Sequence, residues 1–117
     1  MVPPLNATLS ALQAFSQKMG VTAGNIANVN TDGYKKSQAV FEEGRHGEVE
    51  VREQRIDTPG IPLEPSGTER PTTRESSNVA LEEEIPELIT TVYGFKANLK
   101  TMQAQDEMLG NLLDTVA

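Results

Sequence analysis

No cysteine occurs anywhere in the 117 residues, which excludes disulfides, thiolate zinc sites and cysteine nucleophiles but leaves the redox compartment open. Tryptophan is absent and aromatic residues make up only 4% of the chain, so no large ring-filled core is available. His46 is the sole histidine, and any imidazole-based triad or relay would have to use it. Basic residues never run four or more together and the formal net charge is −7, which argues against nucleic acid as a partner. No apolar stretch is long enough for a membrane span, so no membrane insertion is expected. The opening Met1-Val2-Pro3-Pro4-Leu5-Asn6 lacks a basic region followed by an apolar core. No cleavable secretory signal is therefore expected, and the protein either stays in the cytoplasm or leaves by a route that needs none.

What the chain does have is two long apolar seams. Toward the end, Leu81, Ile85, Leu88, Val92, Phe95, Leu99, Met102, Leu109, Leu113 and Val116 fall at alternating spacings of four and three, with Asp106 in the one polar step. Glutamate, lysine, asparagine and glutamine fill the positions between, which makes an amphipathic helix of the kind that packs on another helix. At about 1.5 Å per residue, Leu81 to Val116 spans roughly 54 Å, longer than the roughly 35 Å diameter of a compact domain of this size. Such a helix cannot be covered by its own chain. Asp106 either fixes the register of the seam at some cost in stability, with Asn30 at the equivalent place in the N-terminal repeat, or the seam simply rotates past it. Near the start, Leu5, Leu9, Leu12, Met19, Ala23 and Ile26 repeat the spacing, with Phe15 widening the face and Ser16 in the polar slot. A second amphipathic helix is predicted over 5–28, preceded by Pro3 and Pro4, where proline is tolerated. Gly20 and Gly24 each cost this helix about 1 kcal/mol relative to alanine, and they mark either a kink or a close helix approach.

Between the seams the character changes. Asn25 to Lys36 reads as a helix end followed by a tight turn, with asparagines suited to left-handed backbone and Asp32-Gly33 supplying positive φ. Ala39-Val40-Phe41 is a short apolar run and residues 48–52 alternate strictly, so a small β-hairpin is predicted, turning through residues 42–47. Pro59, Gly60, Pro62, Pro65, Gly67 and Pro71 then enforce an extended connector. Ser76-Ser77-Asn78 is a candidate N-cap cluster for the last helix, with Glu82, Glu83 and Glu84 near its positive end. Pro86 requires either that the regular helix begin near Ile85 or that it bend there.

Catalytic chemistry finds little support. His46 sits in a Gly-flanked charged turn with no apolar wall to tune it. Glu42, Glu43, Glu48 and Glu50 beside it form no calcium-loop ladder. The Glu82–Glu84 run reads as a solvated helix start, and no phosphate loop or nucleophile elbow is present. No catalytic residue, cofactor, metal or small-molecule substrate is therefore expected. From the residues alone, the chain is a mainly α, self-associating structural protein of one domain, its terminal helices paired as a coiled coil around a small β-hairpin and extended connector. The predicted assembly interface is Leu5, Leu9, Leu12, Met19 and Ile26 with Leu81, Ile85, Leu88, Val92, Phe95, Leu99, Met102, Leu109 and Leu113.

The run Asn25-Ile26-Ala27-Asn28, then Thr31, Gly33, Tyr34 and Lys35, resembles the signature of the bacterial flagellar rod and hook proteins, with Gly24 in place of the first asparagine of the usual pair. Leu5 to Phe15 looks like that family's opening helix. Ser77-Asn78-Val79, Asn98-Leu99-Lys100 and residues 106–113 look like its closing one, where Pro86 is a departure. The resemblance implies three segments, 1–36, 37–76 and 77–117: a rod helix with its Asn-rich turn, a short β-rich insert, and a second rod helix. It also implies a torque-transmitting basal-body rod subunit that stacks helically with itself and with other rod proteins. Export would then run through the flagellum's own type III apparatus without a cleaved signal. Only about forty residues separate Lys36 from Ser77, which points to the short proximal-rod, FlgC-type members, as does the Asp57 to Pro65 step. Two other classes stay open at this point: a coiled-coil adaptor or export-related protein forming a small closed oligomer, and a hydrolase using His46.

Overall fold

The structure, a computed structural model, describes residues 3–64 and 74–117. Pro65, Gly67 and Pro71 of the predicted connector lie outside the described residues. Two long helices, α1 (Pro3–Ala27) and α2 (Leu81–Val116), flank a hairpin of β1 (Ser37–Glu43) and β2 (Val49–Arg55). A second, minimal pairing joins β3 (Pro62–Leu63) to β4 (Arg74–Glu75). The protein is thus mainly α, with the expected hairpin and extended connector. It is also elongated: its extents are 82 × 26 × 15 Å and its radius of gyration is 20.8 Å, against about 13 Å for a compact domain of this length.

The helices run antiparallel. Thr8 meets Gln105, Lys18 meets Glu87 and Asn25 meets Glu84, so the start of α1 lies beside the late turns of α2. The hairpin packs on α1 through one face, where Ala39 and Phe41 alternate with outward residues and Val49 and Val51 do the same on β2. Phe15 and Phe41 meet edge to face at 5.1 Å, the Lys18 ammonium stands over the Phe41 ring, and the Val49 N–H donates to the Ser10 hydroxyl. Leu12, Ala14 and Ala39 are the buried apolar residues among those described. That is a very small core. The hairpin closes through Gly44 and Gly47, with the Gly44 N–H donating to the Glu48 carbonyl and Gly47 at a φ of +80°.

Several local expectations resolve differently. The first turn of α2 is cut from Leu81, so Pro86 lies inside the helix and the later start near Ile85 does not occur. Proline there removes only the donor to the Glu82 carbonyl, at an exposed end of the helix where water substitutes. The N-cap is Ala80 with no side-chain cap bond. The Ser-Ser-Asn cluster is spent elsewhere: the Ser76 hydroxyl accepts from Ile61 N–H, and Asn78 ties the connector to the hairpin. Gly20 and Gly24 have open space where a Cβ would go, which removes a close helix approach as their reason. The close approach is at Gly94 instead, where a Cβ would stand 2.6 Å from the Phe15 ring. No described non-glycine residue has positive φ, so the asparagines of the turn act through their side chains and Gly33, at +71°, carries the left-handed step.

Candidate assembly interface

The turn that follows α1 is organised by Asn25. Its side chain is 2% exposed and uses every donor and acceptor an amide possesses. Nδ2 donates to the Ser37 carbonyl at 2.7 Å and to Glu84 Oε2 at 3.1 Å, while Oδ1 accepts from the Ser37 N–H at 3.0 Å and the Tyr34 hydroxyl at 3.3 Å. One side chain thereby clamps the first residue of β1, the turn and α2. Asn28 closes the helix end, donating to the Gly24 carbonyl and accepting from the Thr31 hydroxyl. Asn78 repeats the clamp from the other side. It accepts from Lys36 N–H and donates to the Ile56 and Thr58 carbonyls. Gly33 N–H donates to the Glu75 carbonyl. Ion pairs surround this knot: Lys35–Glu75 at 2.6 Å, Lys36–Glu83 at 2.9 Å and Lys18–Glu87 at 2.6 Å, with Arg74 on Asp32. The Lys35 ammonium, by its hydrogen bond first and its charge second, holds the Glu75 carboxyl below the usual carboxylate range.

A cavity of about 150 Å³ lies where α1, α2 and β1 converge, lined by Lys18, Thr22, Asn25, Lys36, Glu83 and Glu84 among others. Its lysines are spent on the carboxylates of Glu83 and Glu87, and Thr22 and Ser37 line it with no histidine among the lining residues. Among the described residues no group of histidine and acidic side chains could hold a metal ion. His46 lies in the hairpin turn near Asn6, Ala7 and Glu48, its backbone N–H bonded to Glu48.

The sequence-predicted seam residues divide into two sets. Leu12 is buried, and Leu5, Met19, Ile26, Leu88, Val92, Phe95, Met102 and Leu109 are half-buried. Leu9, Leu81, Ile85, Leu99 and Leu113 are exposed. The row of α2 turned into α1 is instead Glu84, Thr91, Asn98 and Gln105, seven residues apart, alongside the shared row Leu88, Phe95, Met102 and Leu109. Pattern reading missed that polar row because it searched for apolar repeats, although the sevenfold spacing of Glu, Thr, Asn and Gln is visible in the sequence. The outer row of Ile85, Val92, Leu99, Asp106 and Leu113 looks away from α1, with Val92 alone half-buried. Asp106 is therefore solvated and sets no register within the chain. Beyond the start of α1, α2 runs on with Leu112, Leu113 and Val116 at 62%, 70% and 85% exposure.

A model described as flagella basal body rod protein matches residues 5–35, covering α1 and the Asn25 knot. A second, described as flagellar basal body rod FlgEFG protein C-terminal, matches residues 73–115 and covers α2. Both ends of this chain thus match models of the flagellar basal-body rod family. Two relatives carry the name flagellar basal-body rod protein FlgG, both from Buchnera aphidicola. They are 46% identical (strain Bp) and 44% identical (strain Sg) over 43 residues, which is 37% of this chain and 16% of each relative. The matched stretch thus spans about a sixth of those proteins, and the family resemblance lies in the helical ends. The second model is named for FlgE, FlgF and FlgG, and neither it nor the relatives single out the FlgC branch.

Proposed function

We propose that this protein is a structural, non-enzymatic subunit of the flagellar basal-body rod, assembling with itself and with other rod proteins and transmitting torque by packing. The observation that carries the reading is the outer apolar row of α2. On a chain whose two ends match the rod family, Ile85 and Leu99 remain 46% and 41% exposed after α1 has taken its place. Exposed large side chains in line along one helix mark an interaction surface when they are contiguous. Leu5, Leu9, Leu12, Met19 and Ile26 on α1 complete the interlock with the α2 set. The Asn25, Ile26, Ala27, Asn28, Thr31, Gly33, Tyr34 motif holds the angle at which the insert leaves the helices.

On this reading the chain has three working segments, 1–36, 37–76 and 77–117, and resides in the periplasm-spanning rod. It reaches that place through the flagellar export apparatus without a cleaved signal, and it uses no cofactor, substrate, nucleic acid or membrane insertion. The short interval between Lys36 and Ser77 supports a proximal, FlgC-type member. Deleting residues 109–117 is expected to abolish incorporation into rods in a complemented strain, and motility that survives the deletion overturns the reading.

A further inference from the structure

Glu84 carries a charge into the interior without a cation of its own. It is 7% exposed; Oε2 accepts from Asn25 Nδ2, and Oε1 has no hydrogen-bond partner among the described residues. A buried carboxylate is ordinarily paired with a cation or bound to a metal ion, because an isolated charge in a low-dielectric interior is costly. The ammonium groups beside it are committed elsewhere, Lys36 to Glu83 at 2.9 Å and Lys18 to Glu87 at 2.6 Å.

Thr22 shows the same want of a partner. It is 3% exposed, yet its hydroxyl makes no hydrogen bond among the described residues. The threonines of α2 show the usual solution: Thr90, Thr91, Thr101 and Thr115 each donate to the carbonyl four residues back. Thr22 leaves that bond unmade. Every fully enclosed side-chain nitrogen or oxygen among the described residues has a partner. The unbonded oxygens of Thr22 and Glu84 are therefore not enclosed by protein, and they open on the cavity of about 150 Å³ that both residues line. Ser37 lines it too, its hydroxyl unbonded while its backbone N–H and C=O are held by Asn25. Thr22 stands one turn before Asn25 on the same face of α1, and the Asn25 amide touches both Ser37 and Glu84. Oxygens from α1, β1 and α2 thus meet at one space.

That space has room for roughly five waters, and a polar cavity of this size does not stay dry. Two lysines and three glutamates line it, which leaves one negative charge uncompensated. One carboxylate with hydroxyl oxygens suits a hard monocation. Calcium would gather more carboxylates, and no group of three acidic or histidine side chains is assembled for it among the described residues.

We propose that this cavity binds one small monocation, of the class of sodium, potassium or ammonium. Glu84 supplies the charge, Thr22 and Ser37 supply neutral oxygens, and water completes the shell. The ion bridges α1, β1 and α2 beside the Asn25 knot and takes no part in any reaction. Because the site forms within one chain, its occupancy is read on the monomer, whether or not copies assemble.

The test compares the full chain in sodium, potassium, ammonium and N-methyl-D-glucamine chlorides at one ionic strength, the last cation being too large for the cavity. The expected result is a melting temperature several degrees higher in one of the small ions, saturating as a single site. The ion with the highest midpoint names the guest. E84Q keeps an oxygen for Asn25 but removes the charge, and it should abolish the preference. T22V should raise the half-saturating concentration about fivefold, whereas E53Q, at an exposed acid of the hairpin, should leave it unchanged. Equal midpoints in all four salts overturn the proposal, since water, or an ammonium swung over from Lys18 or Lys36, then fills the place. A preference that survives E84Q at full size puts the ion elsewhere and overturns it as well. Should E84Q or T22V fail to fold, the native chain decides. The amide resonances of Thr22, Ser37 and Glu84 should shift when a small ion replaces N-methyl-D-glucamine, and resonances that stay in place there overturn the site.

Discussion

The two ends of the helix pair are built on opposite principles. At the turn end, Asn25, Tyr34, Asn78, Glu84 and Ser37 form a closed set of hydrogen bonds. None of the buried side-chain nitrogen or oxygen atoms among the described residues lacks a partner. At the far end, Thr8 bonds Gln105 across the helices, and Leu112, Leu113 and Val116 continue into solvent. Directional bonds give one geometry or none, because an unmade buried bond costs more than a made one contributes. Apolar side chains carry no such demand and bind whatever apolar surface arrives. One end specifies the fold and the other is left to be completed.

That contrast can be broken from either side. The largest effect is expected at the knot. N25A strips the partners from Ser37, Tyr34 and Glu84 at once and should cost about 3 kcal/mol or more, read by urea denaturation. A loss below about 1 kcal/mol would mean that water replaces the amide and the knot is not what holds the turn.

Glycines sharpen the comparison next. A Cβ at Gly60 would fall 1.9 Å from the Ser76 carbonyl oxygen, a backbone atom. G60A should therefore unseat the connector and cost about 2 kcal/mol. G20A meets open space on an exposed helical position and should stabilise by up to about 1 kcal/mol. Both are measured by thermal unfolding.

At the far end, L112A/L113A should change monomer stability by no more than about 0.5 kcal/mol, since neither side chain is buried. The same pair should impair incorporation into rods. H46A should change neither, and a loss of motility in that variant would reopen a chemical role for the hairpin turn.

The smallest effect is a pH dependence. The hydrogen bond from Lys35 holds the folded-state pKa of Glu75 below the ordinary carboxylate value of 4.5. The Lys35 clasp thus contributes stability that is present above the unfolded pKa and is lost as pH falls through the lower folded value. The protection of the Gly33 N–H, which donates to the Glu75 carbonyl, measured as its exchange relative to the intrinsic rate at each pH, should fall on acidification below about pH 4.5. K35M should remove the pH dependence of that protection without altering protection in the middle of α1.

Much of the fold was legible as period. Spacings of four and three located both helices to within a residue or two, because an amphipathic helix writes its buried stripe into the chain. Strict alternation located the hairpin for the same reason in period two. The caps were less legible. Ser76, Ser77 and Asn78 have the right chemistry for a helix start, yet long-range partners at Ile61, Lys36, Ile56 and Thr58 claim two of them. A short polar side chain bonds whichever backbone group the tertiary structure brings nearest, and sequence distance does not reveal which that is. Asn25 was singled out as part of a motif, but its four simultaneous bonds depend on a turn, a strand and a helix that lie 9 to 59 residues away.

From composition and periodicity alone, this protein is two long amphipathic helices around a small hairpin, without cysteine, and with more apolar helix surface than its own chain can cover. Periodicity determines that much because burial is a property of each residue type repeated along an element. Which face of α2 meets α1 was decided only in three dimensions. Hydrophobicity favours the 85/92/99 row, and the choice went to 84/91/98/105, because hydrogen bonds from Asn25 and Thr8 and the gap at Gly94 accept one roll of the helix and refuse its neighbour.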